Sequence, residues 1–385
     1  MEKDRKNKQR EWLFIILVCI AILVIAVVGD SLFPNIVFKD RSLNATYARV
    51  LDIVFDNTDE IASSTENEYK YQEFQIEITS GSHKGEKYWM RNSLESFDVY
   101  NIILSEGDRI LVAIDEDSSG SIVNLHIYDR QRDRQLIILL AIFIIGVILI
   151  GGKQGLKAIL TLVFSIVIIV KCLLPMILYG YNPLLVAIGL LFIIICVTLS
   201  VIGGFSLKTL CAILGTTGGV IIAGIISLAV GKSVEITGLA NDSTQQLVYL
   251  LDYPNIDFQG VLFASILIGS MGAIMDVSIS IASSMYEIVS LQPNIEKKVL
   301  MKSGMNIGRD IMGSMSNTLI LAYTGSSCEL MLLFMASSTK LREIVNLDLV
   351  ASEIIRAIGG SIGLTLTIPI TVLLSTFIYK SKKRV

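Results

Sequence analysis

Ionisable side chains are costly inside a membrane, and one of them, Asp276, stands in the middle of an apolar run over residues 261–288. Counted at helical spacing, Gly269, Gly272, Asp276, Ser280, Ser283 and Glu287 fall on one stripe of small and polar residues. Small residues let another helix approach closely, and a carboxylate among them requires a partner, water or a cation. Packing alone accounts for the glycines and serines but not for the acid, which reads as a cation or proton site. The next run, 311–335, follows Arg309-Asp310 and carries Gly313, Ser314, Ser316, Asn317 and Thr318, with a break expected at Thr324-Gly325-Ser326-Ser327. With this helix starting at Arg309-Asp310, a rise of about 1.5 Å per residue puts Asn317 about 10 Å above Asp310 and level with Asp276. The expected solute or ion site is therefore Asp276, Asn317, Ser280, Ser283, Asp310 and Thr318, with Gly269, Gly272 and Gly313 packing the helices. Asp310 reads two ways: a site residue at the inner mouth, or a charge favoured by the dipole of a helix N-terminus.

Other chemistries fit less well. An intramembrane aspartyl protease needs two Asp side chains sharing one site, and the same topology separates Asp276 and Asp310 by about 15 to 20 Å in depth. The sequence contains no HExxH, and neither Gly203-Gly204 nor Gly218-Gly219 belongs to a GxxxxGK[ST] phosphate loop. No enzyme activity and no cofactor are expected. His83 and His126 lack companion Cys or His, and the five cysteines (Cys19, Cys172, Cys196, Cys211 and Cys328) are too dispersed for a metal site. Met271, Met275, Met285, Met301, Met305, Met312 and Met315 cluster near Asp276, which suits core packing or Cu(I). No basic patch with interleaved aromatics is present, so a nucleic-acid partner is not expected.

The elements that position these residues follow from hydropathy. Of 385 residues 52% are hydrophobic and only 17% charged, with mean hydropathy +0.65, against about a quarter charged in a soluble domain. Eight apolar runs are long enough to be read as transmembrane helices: 12–29, 136–150, 156–178, 184–202, 209–230, 261–288, 311–335 and 358–378. Lys and Arg gather at the N-terminal tail, at Lys153 and Lys157, at Lys208, from Lys297 to Arg309, and from Lys380 to Arg384. That pattern places both termini in the cytoplasm, although Lys340, Arg342 and Arg356 fall on the other side. The first run reads as an uncleaved signal-anchor, with a cleaved signal peptide as the alternative.

The charged block between the first two runs changes to period two. The alternation is clearest in Tyr71, Phe74, Ile76 and Ile78, then over 109–114 and 122–127, with turns at 105–109 and at Ser118-Ser119-Gly120. Five or six short strands of this kind make a small all-β barrel of OB or SH3-like type, serving as a spacer or as a docking domain for an extracytoplasmic protein partner. The expected fold is thus an α-helical polytopic membrane protein. It comprises a tail and first helix (1–30), an extracytoplasmic β domain (31–134) and a seven-helix bundle (135–385).

Two hairpins, Gly151-Gly152-Lys153-Gln154-Gly155-Leu156-Lys157 and Gly203-Gly204-Phe205-Ser206-Leu207-Lys208, look like a short parallel repeat. GSMGAIMDVSISIASSMYE over 269–287 and NIGRDIMGSMSNTLILAYTGSS over 306–327, with the GLKAIL and LKTLCAILGTTGG hairpins upstream, resemble the YibE/F family of multi-pass bacterial membrane proteins. The resemblance implies one N-terminal helix, an outer domain and a helical bundle; it implies no substrate. The working expectation is a transporter or permease for a small solute or ion. The alternative is an envelope binding or assembly protein whose β domain docks a partner and whose bundle is an anchor. Apart from the lipid bilayer, no partner and no oligomeric state are fixed by the sequence.

Overall fold

A computed structural model describes residues 2–32, 44–58, 70–94, 101–117, 120–250, 256–337 and 339–381. The chain divides into two compact units, Phe38–Gly146 and the remainder.

In the first unit, alternating residues form β1 (Asn44–Asp56), β2 (Lys70–Ile78), β3 (Lys87–Leu94), β4 (Arg109–Glu116) and β5 (Ile122–Arg130). All neighbours are antiparallel, in the order β3-β2-β1-β4-β5, and the sheet curls into a nearly closed barrel. The long β1 makes this possible. Its first half pairs with β4 and its second half with β2, and two register slips near Leu51 and Val54 bend it around the core. Ala48, Val50, Phe74, Ile76, Met90, Leu104, Ile110 and Val112 fill the interior.

The expected alternation holds for Phe74, Ile76 and Ile78, but Tyr71 lies on the opposite face. The inward position belongs to Gln72, which is fully buried. Its amide nitrogen donates to the Asp56 carboxylate at 2.7 Å and to the Leu104 carbonyl at 2.9 Å, and its oxygen accepts from the Leu104 N–H at 2.9 Å. A buried amide is tolerated here because its hydrogen-bonding groups are used. The turn before β4 forms as expected, with Gly107 at φ +87° and the Asp108 carboxylate accepting from the Ser105 N–H. Of the Ser118-Ser119-Gly120 turn, only Gly120 lies among the described residues.

The helical elements are α1 (Glu2–Leu32), α2 (Asp133–Ile168), a π-helical turn (Ile169–Leu173), α3 (Leu174–Leu178), α4 (Pro183–Gly203), α5 (Leu207–Ser233) and α6 (Asp242–Leu250). They continue as α7 (Phe258–Leu291), α8 (Lys297–Ser326), α9 (Cys328–Ala336), α10 (Leu341–Val345) and α11 (Asp348–Ser381). Five spans are long and apolar enough to cross a membrane, six if the bent pair α8–α9 counts as one. These helices mark the second unit as membrane-embedded.

Eight runs were expected, and the difference has identifiable causes. The apolar part of α1, Trp12–Val28, is short. The runs 136–150 and 156–178 lie in one nearly continuous stretch, interrupted where Gly152 leaves helical geometry at φ +52°. The second hairpin turns at another left-handed glycine, Gly204 at φ +69°, after which Ser206 caps α5 by accepting from the Thr209 N–H. The two hairpins meet: the Gln154 side chain donates to the Ile202 carbonyl at 3.1 Å.

The bundle centres on α5, α7 and α11, which share the most extensive contacts. Close approach depends on small residues. A Cβ on Gly219 of α5 would stand 2.9 Å from Thr367 Cβ and 3.0 Å from Ile274 Cγ2, and one on Gly363 of α11 would stand 2.5 Å from Ala223 Cβ. Helices meeting across glycine gain dispersion contacts that larger side chains would forbid.

Candidate functional site

The expected site residues lie on α7 and α8. These helices run antiparallel, with Gly304 packed on Met285, Gly308 on Ile281 and Gly269 against the hydroxyl end of Tyr323. That register puts Asp276 opposite residues 313–316, within a turn of Asn317, so the two are close to level.

The register also corrects the placement of Asp310. Helix α8 begins at Lys297, more than three turns before Arg309-Asp310, so Asp310 is not at a helix N-terminus and the dipole has no special hold on it. It stands opposite residues 279–282, about 5 to 9 Å in depth from Asp276 rather than the expected 15 to 20 Å. No hydrogen bond joins the two carboxylates among the described residues.

The stripe on α7 is real but faces outward. Gly269, Gly272, Asp276, Ser280 and Glu287 are exposed and Ser283 half-buried, while Met271, Ile274, Met275, Ile281 and Met285 on the other side enter the core. The methionines pack among aliphatic side chains, and among the described residues no three His, Cys, Asp or Glu gather as a metal cluster. The stripe is flanked by α4, through the contact of Gly203 with Ile279, and by α8.

On α8, Leu300, Gly304, Gly308 and Leu319 are buried, whereas Asn306, Arg309, Asp310, Gly313, Ser314, Asn317 and Thr318 are exposed. The hydroxyls of Ser314 and Thr318 donate to carbonyls of their own helix, at Ile311 and Ser314. Asp276, Asp310 and Asn317 make no hydrogen bond or ion pair among the described residues.

The break forms where expected: α8 stops at Ser326 and α9 leaves at 55°. Sequence reasoning missed what surrounds it. Arg356, expected on the outer side just before the last apolar run, lies within α11 and pairs with Glu353 at 2.8 Å, and Ser327 Oγ donates to the other Glu353 oxygen at 3.3 Å. Tyr323 Oη and Arg356 Nε are buried nearby without hydrogen-bond partners among the described residues. A cavity of about 190 Å³ touches Tyr323, Thr324, Ser327, Met331, Phe334 and Glu353. The readable signal was the spacing of Glu353 and Arg356, three residues apart on a helix.

A second missed feature is a set of buried hydroxyls between the central helices. Thr367, Thr371 and Ser375 of α11 recur every four residues and are fully buried, as are Thr216 of α5 and Ser270 and Ser278 of α7. Thr371 Oγ1 donates to Ser278 Oγ at 3.4 Å, and Tyr379 Oη to the Ala282 carbonyl at 2.9 Å. Ser270 and Thr367 donate to carbonyls of their own helices, whereas the buried hydroxyls of Thr216 and Ser375 have no hydrogen-bond partner among the described residues.

Residues 139–381 match the profile described as YibE/F-like protein, and residues 42–129 match the YibE/F family N-terminal domain. No curated protein and no solved structure matches the chain. With its barrel and its helical region each covered by a profile of the same family, the chain belongs to the YibE/F-like family.

Proposed function

We propose that the chain is a plasma-membrane transporter or permease for a small solute or ion, with Asp276 as its cation or proton site. The observation that carries this reading is the outward polar stripe of α7, where Asp276 stands without a partner among the described residues, level with the amide of Asn317 on α8. Such groups are costly against hydrocarbon and serve where water or a solute reaches them. Asn317, Ser280, Ser283 and Thr318 supply neutral ligands, and the bend at Ser327 gives the α8–α9 span a place to move. In this reading about eight segments cross the bilayer, both termini are cytoplasmic, and the barrel lies outside. Five antiparallel strands in the order β3-β2-β1-β4-β5 support reading it as an OB-like barrel. Asp276→Asn tests the reading: reconstituted protein loses uptake or efflux and its pH dependence, and unchanged flux overturns the role of the carboxylate.

One feature of the barrel favours the second reading, a docking domain in the envelope. The outward face of β1 to β3 carries a stacked pair, Phe55 and Tyr71, with the Arg91 guanidinium 3.7 Å from the Tyr71 ring centre and an exposed Trp89. Aromatic and Arg side chains of this kind anchor protein interfaces. Deleting residues 47–128 separates the readings, since a transporter retains flux and an adaptor loses its partner.

A further inference from the structure

Among the described residues nothing covers the outer face of α8. Asn306, Asp310, Gly313, Asn317, Ile320 and Thr324 recur at intervals of four and three and are all exposed, on the side opposite Gly304 and Gly308. That spacing is the seam of a helix packed along a second helix. The Thr324 hydroxyl is satisfied by the Ile320 carbonyl. Among the described residues the Asp310 carboxylate and Asn317 amide have no partner, and the Arg309 guanidinium has a long contact of 3.4 Å to Asn306. Hydrocarbon cannot solvate these groups.

We infer that a second copy of this chain covers this face, pairing Arg309 of each copy with Asp310 of the other. The charges themselves favour a second copy. Arg309 and Asp310 are adjacent, so opposite charges stand at one depth on one side of the helix. A two-fold axis along the membrane normal brings each Arg309 to the other copy's Asp310, forms the pair twice and leaves no charge over. Further along the seam, two Asn317 amides meet near the axis and hydrogen-bond to each other, as amides between membrane helices do. Gly313, where a Cβ would touch nothing within 4 Å, leaves room for the backbones to approach. The inference rests on α8 lying at bilayer depth and does not depend on transport.

The test uses full-length chains carrying two different affinity tags, with copy number measured by mass in nanodiscs. Wild type is expected as two copies. Arg309→Asp makes the face acidic and Asp310→Arg makes it basic, so each alone should lower the dimer fraction about tenfold or more. Co-expressed, the acidic and basic chains should purify together as a mixed dimer, a recovery that misfolding of either variant would prevent. A single copy for wild type overturns the inference. So does dimerisation of the single variants at the wild-type level, failure of two monodisperse variants to associate, or a different protein seated on the face. A monomer that still moves solute defeats this inference alone, whereas a dimer without flux defeats only the transport reading.

Discussion

In the barrel the amide of Gln72 is fully buried and makes three hydrogen bonds, whereas on α8 the amide of Asn317 is exposed and makes none among the described residues. The same contrast separates Asp56, which accepts from Thr58 and Gln72, from Asp276, which has no partner among the described residues. A polar group that spends its hydrogen bonds inside its own unit contributes to folding. One left unspent at membrane depth adds little to the fold, and its contribution lies in what it meets outside the chain.

Substitutions should sort along this line. Gly219→Val places a branched side chain where Thr367 and Ile274 already stand, and it should cost about 3 kcal/mol or more, seen as loss of the monodisperse folded protein in detergent. Gln72→Leu leaves the Leu104 N–H and carbonyl unpaired inside the barrel and should cost about 2 to 4 kcal/mol, read as faster hydrogen exchange in β1 and β2 of the full chain. Glu353→Gln, which removes the negative charge paired with a partly exposed Arg356, should cost about 1 kcal/mol in thermal unfolding. An equal loss of stability in Asp276→Asn would break the comparison.

Acid should act on the barrel more weakly still. Burial pushes the Asp56 carboxyl up, but hydrogen bonds from Thr58 and Gln72 outweigh it and hold the group below its ordinary value. A carboxyl depressed in the folded state contributes its stability above its unfolded value of about 3.9 and loses it as the pH falls through the lower folded value. Exchange in β1 and β2, corrected for intrinsic rates, should rise only in that acid window, and Asp56→Asn should flatten the dependence. Asp276→Asn should change unfolding by less than about 0.5 kcal/mol while abolishing flux.

Much of this was legible in the residues. Phe74, Ile76 and Ile78 announced β2 by period two, and Thr324 to Ser327 announced the break by clustering small, hydroxylated residues. Gln72 was hidden because polarity assigns a glutamine outward, and only the fold reveals that Leu104 and Asp56 reach its amide. The early start of α8 was hidden because 297–310 is too polar to count as a span; yet Leu300, Gly304 and Gly308, four residues apart, already marked a buried helical face. At the candidate site, the sequence placed Asp276 and Asn317 at one level, but it could not tell that both face out of the bundle. Facing depends on which sides α4, α5 and α11 occupy, and that is a property of packing.

The most direct test of the transport reading compares the metal and metabolite contents of cells lacking the protein, cells expressing it and cells expressing Asp276→Asn at equal membrane levels. The account predicts that wild type shifts the content of at least one small solute or ion and that Asp276→Asn returns it to the level of cells without the protein. A shift that survives Asp276→Asn unchanged would contradict it.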